Sequence, residues 1–144
     1  MRILFLNQYF PPDPASTGVL LGEIAETLRS QGHHTDFDSA ESSYRHSPAR
    51  GPRIIREARA LIRILWKSLR SQRPDLIISG SSPPALLVAA TVAAARHRAR
   101  SIHWAMDLYP EIAVALGEIP PGIIPCGVAR AMAVGYRRCN RVVA

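Results

Sequence analysis

The strongest constraint on the fold is the regular alternation of short apolar runs with longer segments of helical periodicity. Runs typical of strands buried on both faces cover residues 2–7, 75–79 and 101–106. Helical periodicity covers residues 19–32, 53–73 and 85–97. This alternation predicts βαβ units with right-handed crossovers and a parallel sheet. The sequence therefore predicts one α/β domain over residues 1–144, Rossmann-like and built in three layers.

The remaining segments give weaker signals. Residues 34–38 form a strand candidate with little apolar content, and residues 41–52 are polar and predict a mobile loop. A short helix is expected to end at Gly117, and a last helix covers residues 128–139. Residues 141–144 are expected to begin one more strand.

Composition limits the class of protein. The chain has 144 residues, 47% hydrophobic and 20% charged, which fits one globular domain with a core of its own. Its net charge of +7, carried mostly by arginine, favours an anionic partner. Cys126 and Cys139 lack the spacing of a disulfide framework or a zinc site, so we expect two reduced thiols and no metal.

Membrane-spanning and exported proteins are not favoured by the sequence. The longest apolar stretch, residues 85–95, is shorter than the ~20 residues that cross a bilayer. The opening apolar run is too short for a signal peptide, since Asn7 and Gln8 end it. We therefore expect a cytoplasmic protein that rests at most on the surface of the inner face of a membrane.

Ligands of parallel sheets bind beyond the carboxyl ends of the strands, so functional residues are expected after Asn7, Ser79 and Met106. The first of these loops has neither G-x-G-x-x-G nor a Walker sequence, which argues against ordinary dinucleotide and nucleoside-triphosphate binding. The chain also lacks G-x-S-x-G and H-E-x-x-H, the signatures of α/β-hydrolases and zinc peptidases.

The first loop delivers Ser16, Thr17 and Gly18 to the start of a helix, where backbone N–H groups suit hydroxyls or a phosphate. The alternative is that Ser16 or Thr17 only caps the helix. Asp107 follows a buried strand, where a carboxylate can orient or deprotonate a substrate hydroxyl. The alternative for Asp107 is an N-cap of the helix that opens near Pro110.

Other polar side chains are candidates for the same crevice. Ser82, Tyr109 and Glu111 lie in or after the loops that follow the second and third apolar runs. His103 and Trp104 lie inside the third run, so we expect them in the core.

The segment 53–73 has an apolar stripe and a basic face. The stripe consists of Ile54, Ala58, Leu61, Ile62, Leu65 and Leu69. We interpret it as the face packed on the sheet, with a solvated basic face outside. Alternatively the helix lies on anionic lipid, with Trp66 at the interface. The membrane-facing candidates are then Arg56, Arg59, Arg63, Lys67 and Arg70.

Several segments together resemble the N-terminal domain of family 4 glycosyltransferases. The first is RILFLN, followed by YFPPDPASTG and EIAETLRSQGH; RPDLIISGSSPP and DLYPEIAVALG are similar to the branch that assembles bacterial surface polysaccharides. The resemblance covers nearly the whole chain. Three positions depart from the family pattern: Gly18 stands alone where adjacent glycines are usual, Met106 replaces His or Arg, and Tyr109 replaces Trp.

The resemblance implies one half of a GT-B architecture, in which this domain binds the acceptor and a C-terminal domain binds the nucleotide-sugar donor. Such enzymes are typically retaining, need no metal or other cofactor, and in this branch often act on lipid-linked sugars. Thr17 and Gly18 match the loop that lines the cleft, and Asp107 matches the carboxylate after the fourth strand. Because residues 1–144 contain no donor domain, we do not expect this chain to transfer sugar alone.

Two alternatives to this expectation remain. One is a non-catalytic, membrane-associated acceptor subunit of a glycosyltransferase split into two chains, which would need a donor-domain partner. A weaker one, from charge alone, is a basic nucleic-acid-binding protein, although no specific nucleic-acid motif is present.

Overall fold

A computed structural model of the protein describes residues 1–12, 15–39, 53–107, 111–117, 120 and 122–144. The strands are β1 Arg2–Leu6, β2 His34–Asp38, β3 Leu76–Ser79, β4 Arg100–Trp104 and β5 Arg141–Val143. The helices are α1 Ser16–Ser30, α2 Arg53–Arg70, α3 Leu86–His97, α4 Glu111–Ala115 and α5 Ile123–Arg138. All pairings are parallel, in the order β2-β1-β3-β4-β5. The predicted α/β fold with a parallel sheet is therefore confirmed.

The two faces of the sheet bury alternate residues of each strand, which explains why the apolar runs are continuous. Ile3 and Phe5 of β1 pack against Leu21 and Ala25 of α1. On the opposite face, a second cluster joins β1 and β3 to α2 and α3: its members are Leu4, Leu6, Ile64, Ile77, Leu86, Ala89, Ala90, Ala93 and Ala94. Helix α5 packs on α3, where a Cβ at Gly135 would lie 2.9 Å from Leu87 Cγ. The layers are thus α1, the sheet, and the group of α2, α3 and α5.

The strand order creates a switch point beside β1. From β1 the chain passes through α1 to β2 on one side, and α2 then carries it to β3 on the other side. The loops that follow β1 and β3 therefore diverge and leave a crevice at the carboxyl edge of the sheet.

The observed boundaries of helices α2 and α5 differ from the predicted ones. Helix α2 ends at Arg70 instead of at residue 73. Helix α5 begins at Ile123 instead of at residue 128. Pro125 is compatible with this earlier start because it lies in the first turn, where N–H groups have no intrahelical acceptor. The weak strand candidate is a complete edge strand, paired with β1 from Arg2↔His34 to Leu6↔Asp38. The loop predicted at 41–52 lies outside the described residues.

The predicted buried stripe of α2 is partly wrong. The fully buried residues of α2 are Ala60, Ile64 and Ser68. Leu61 and Leu65 are partly buried beside them, whereas Ala58 is exposed. The large apolar residues left exposed are Ile54 at 67%, Ile55 at 47%, Ile62 at 54% and Trp66 at 55%. The apolar residues of α2 span a wider arc than the sheet and α3 cover, so the helix carries a second, solvent-facing apolar row.

Within the described part of the chain, no helix combines the length and the apolar character needed to cross a membrane.

Candidate functional site

The loops after β1 and β3 are joined by hydrogen bonds at the switch point. Gln8 N donates to Ser82 O at 2.8 Å, and Ser82 Oγ donates to Gln8 Oε1, also at 2.8 Å. Gly80 N donates to Leu6 O at 3.0 Å. The structure therefore places Ser82 in the crevice, as expected, but its hydroxyl proton is already used by Gln8. The oxygen of Ser82 would serve a ligand as an acceptor.

Asn7 is buried beneath the loops that form this crevice. It was not identified from the sequence as a site residue. It is 1% exposed, and its Nδ2 donates to Tyr9 O at 2.9 Å. Its Oδ1 is buried with no partner among the described residues. A Cβ at Gly80 would lie 2.6 Å from this oxygen, so the glycine allows the two loops to approach. A polar pair, Asn7 and Gln8, directly after an apolar strand was the available signal.

The amino end of α1 opens on the same edge of the sheet. Ala15 occupies the N-cap with φ −61° and ψ 122°, and its methyl side chain cannot cap the helix. Ser16 and Thr17 are the first helical residues, so the prediction that one of them is the N-cap is wrong. The first turn of α1 thus begins at this edge of the sheet, at the end where the helix dipole amounts to about +0.5 charge.

Gly18 is buried where α1 meets its own loop. A Cβ at this position would lie 2.5 Å from Tyr9 O and 3.3 Å from Phe10 Cα. The missing side chain is therefore needed for the loop after β1 to fold onto the first turn of α1. Contact between Gly18 and a ligand stays a prediction.

Asp107 is exposed beyond the carboxyl end of β4. Helix α4 begins at Glu111, and residues 108–110, between Asp107 and this helix, lie outside the described residues. The N-cap alternative for Asp107 therefore stays a prediction, and the carboxylate of Asp107 is exposed on the edge where ligands of parallel sheets bind. Tyr109 lies outside the described residues.

Glu111 is exposed in the first turn of α4 and lies near α5. Burial raises the pKa of Tyr136 on α5, and the negative charge of Glu111 raises it further. The structure thus brings Glu111 close to Tyr136 and shows no contact between Glu111 and Asp107.

His103 belongs to the core, as predicted. It is 1% exposed, its Nδ1 lies 2.9 Å from Ser79 Oγ, and its ring meets that of Tyr136 edge-on at 5.9 Å between centroids. Burial lowers the pKa of His103 to about 4, although the hydrogen bond with Ser79 opposes this. His103 is therefore neutral at pH 7 and supports the carboxyl edge from inside. Trp104 is half-buried and packs against the core on the α1 side.

The membrane-facing candidates on α2 are not equivalent. Arg59, Arg63 and Arg70 are exposed, whereas Arg56 is half-buried. The guanidinium carbon of Arg70 lies 4.8 Å above the ring of Trp66.

Lys67 turns toward the end of β2, where its Nζ donates to Ser39 O at 2.8 Å. Beside it, burial raises the pKa of Asp38, an effect that the charge of Lys67 partly offsets and Asp36 adds to. The amine of Lys67 thus binds the backbone after the edge strand β2, although the residue is exposed.

Over the described ranges, no cluster of three or more His, Cys, Asp or Glu side chains is arranged to hold a metal ion. No known protein family matches this sequence, and no curated protein shows significant similarity to it. The fold and the geometry of the crevice are therefore the basis for a functional assignment.

Proposed function

We propose that this domain is the acceptor-binding half of a glycosyltransferase with GT-B architecture. The observation that carries the proposal is the switch-point crevice, where the loops after β1 and β3 meet beside the amino end of α1. It adds to the resemblance of the loop sequences to family 4 glycosyltransferases.

The crevice offers the groups that an acceptor requires. The amides of Ser16, Thr17 and Gly18 can donate to hydroxyl or phosphate oxygens, and the local helix dipole favours negative charge there. Asp107 would accept the proton of the acceptor hydroxyl or orient that hydroxyl toward the anomeric carbon of the donor. The nucleotide-sugar donor would be a co-substrate, held mainly by a C-terminal domain or by a partner chain.

A second surface supports an acceptor that is linked to lipid. The exposed row Ile54, Ile55, Ile62 and Trp66 borders the exposed arginines Arg59, Arg63 and Arg70. An apolar row beside a basic row is the pattern of helices that lie in the interface of anionic membranes. Each arginine near such a surface contributes about 1 kcal/mol of attraction. This surface also fits the alternative of a membrane-associated subunit in a split enzyme.

The proposal is tested by acceptor binding with matched charge variants. The ligand is a short-chain polyprenyl-diphosphate-linked sugar, titrated calorimetrically against the wild type, Asp107→Asn and Glu23→Gln. Glu23 is exposed on α1 away from its amino end, so its variant removes the same charge outside the crevice. Asp107→Asn should weaken binding by about threefold to tenfold through a lost charge-assisted hydrogen bond, while Glu23→Gln should leave it unchanged. Equal effects of the two variants would remove Asp107 from the site.

A further inference from the structure

A concavity of about 730 Å³ lies at the edge of the sheet opposite the crevice. It is formed where α2 and α3 end, and its lining residues are Leu69, Arg70, Ser71, Arg73, Arg96, His97 and Arg98. We call it the arginine pocket. It shares no residue with the crevice, and the resemblance to glycosyltransferases assigns it no role.

The charge of the arginine pocket is strongly positive and not balanced locally. No Asp or Glu lines it, whereas four arginines do. The two helix C-termini contribute about −0.5 charge each, so they offset roughly one of the four positive charges. In the part of the chain that the structure describes, the ion pairs are Arg2–Asp36, Arg29–Glu26 and His34–Asp36, and none includes a pocket arginine.

The nearest acid along the chain is occupied elsewhere. Asp75 Oδ2 accepts a hydrogen bond from Arg2 N at 2.7 Å, on the neighbouring strand. The negative ends of the two helices therefore balance about one of the four arginine charges, and a net charge of about +3 remains around the concavity.

The floor of the pocket is fixed by buried contacts. His97 is 7% exposed, and its Nε2 lies 2.8 Å from Ser68 O on α2. Arg73 Nε donates to His97 O at 3.1 Å, which holds this guanidinium at the pocket wall. Arg98 has φ 56° and ψ 36°, the left-handed region in which helices usually place glycine. Guanidinium groups that line a concavity match the oxygens of phosphate, and here the guanidinium of Arg73 is held in place at the wall.

We propose that the arginine pocket binds phosphate groups, either those of a soluble diphosphate or those of an anionic phospholipid headgroup. Arg70 connects the pocket to the exposed row of α2, because it lines the pocket and also stacks on Trp66. A headgroup could therefore enter the pocket while α2 lies on the bilayer. This inference does not depend on the proposed glycosyltransferase activity.

The test measures binding of inorganic pyrophosphate by calorimetry and binding of phosphatidic acid vesicles by sedimentation. The pocket variant is Arg96→Gln/Arg98→Gly, in which both residues are exposed and glycine suits the backbone of residue 98. The control is Arg137→Gln/Arg138→Gln at the end of α5, which removes the same charge from two exposed residues outside the pocket. Circular dichroism checks that all three proteins are folded.

The pocket variant should bind the active probe at least about tenfold more weakly, whereas the control should stay within about twofold of the wild type. Binding of pyrophosphate would assign a soluble source. Binding of vesicles alone, lost in the pocket variant, would assign a headgroup. If neither probe binds the wild type, the proposal is wrong. It is also wrong if the two variants weaken binding equally, because the arginines then act only through long-range attraction.

Discussion

Gly18 gives the most direct test of how the crevice is built. Both Gly18 and Gly127 lie within helices, so replacing either by alanine gains about 1 kcal/mol of helix propensity. A Cβ at Gly127 meets nothing within 4 Å, whereas one at Gly18 lies 2.5 Å from Tyr9 O. The latter contact involves backbone, so either the loop or α1 must move, at a cost of about 1–3 kcal/mol. Relative to Gly127→Ala, Gly18→Ala should therefore be less stable by about 1–3 kcal/mol.

The assay is urea unfolding followed by far-UV circular dichroism, with both variants compared with the wild type at equal protein concentration. Gly127→Ala should raise the free energy of unfolding by about 0.5–1 kcal/mol. If Gly18→Ala is stabilised as much as Gly127→Ala, the loop after β1 does not pack on α1 as described, and the crevice lacks its first wall.

Four further predictions follow from single residues. Arg98→Gly should raise the free energy of unfolding by about 0.5 kcal/mol in urea melts, because glycine adopts the left-handed conformation at lower cost. Lowering the pH from 7 to 5 should reduce the free energy of unfolding of the wild type by about 2 kcal/mol more than it reduces that of His103→Gln, measured by urea melts at both pH values. The reason is that the pKa of His103 is about 4 in the folded state and about 6.5 in the unfolded state, so the unfolded state takes up the proton first. Tryptophan fluorescence should shift to shorter wavelength on anionic vesicles but not on neutral ones, and Trp66→Phe, which keeps Trp104, should lose the shift; Ile62→Ser should weaken vesicle binding by about threefold to tenfold. In a complete two-domain enzyme, Asp107→Asn should lower turnover more than it weakens donor binding, measured by steady-state kinetics and donor titration, and unchanged turnover would contradict its assignment.

The sequence was sufficient for the fold because the signals that carried it are local. Continuous apolar runs at β1 and β3 and a three-to-four-residue period in α2 and α3 each reflect burial by an immediate neighbour. The sequence signal for β2 was weak because Thr35 is the one buried residue of that strand. Backbone pairing with β1 holds the strand in the sheet.

The site was predictable only in part, because side-chain partners depend on contacts distant in sequence. Ser82 was predicted as a substrate-binding candidate, but the sequence could not show that its hydroxyl donates to Gln8, which lies far from it in the chain. The buried face of α2 was misjudged for a similar reason. The sequence shows which residues are apolar, but the docking of α3 and the sheet decides that Ile64 is covered while Ile62 is not.

We propose that the carboxyl-edge crevice holds the acceptor, and amide chemical-shift mapping would locate the bound acceptor residue by residue. A ¹⁵N-labelled Arg96→Gln/Arg98→Gly protein would be titrated with the short-chain polyprenyl-diphosphate-linked sugar, so that the arginine pocket does not compete for the diphosphate. The largest chemical-shift changes should occur at Gln8, Ser16–Gly18, Ser82 and Asp107. Shifts confined to other surfaces, or none at saturating ligand, would contradict the assignment of the crevice as an acceptor site.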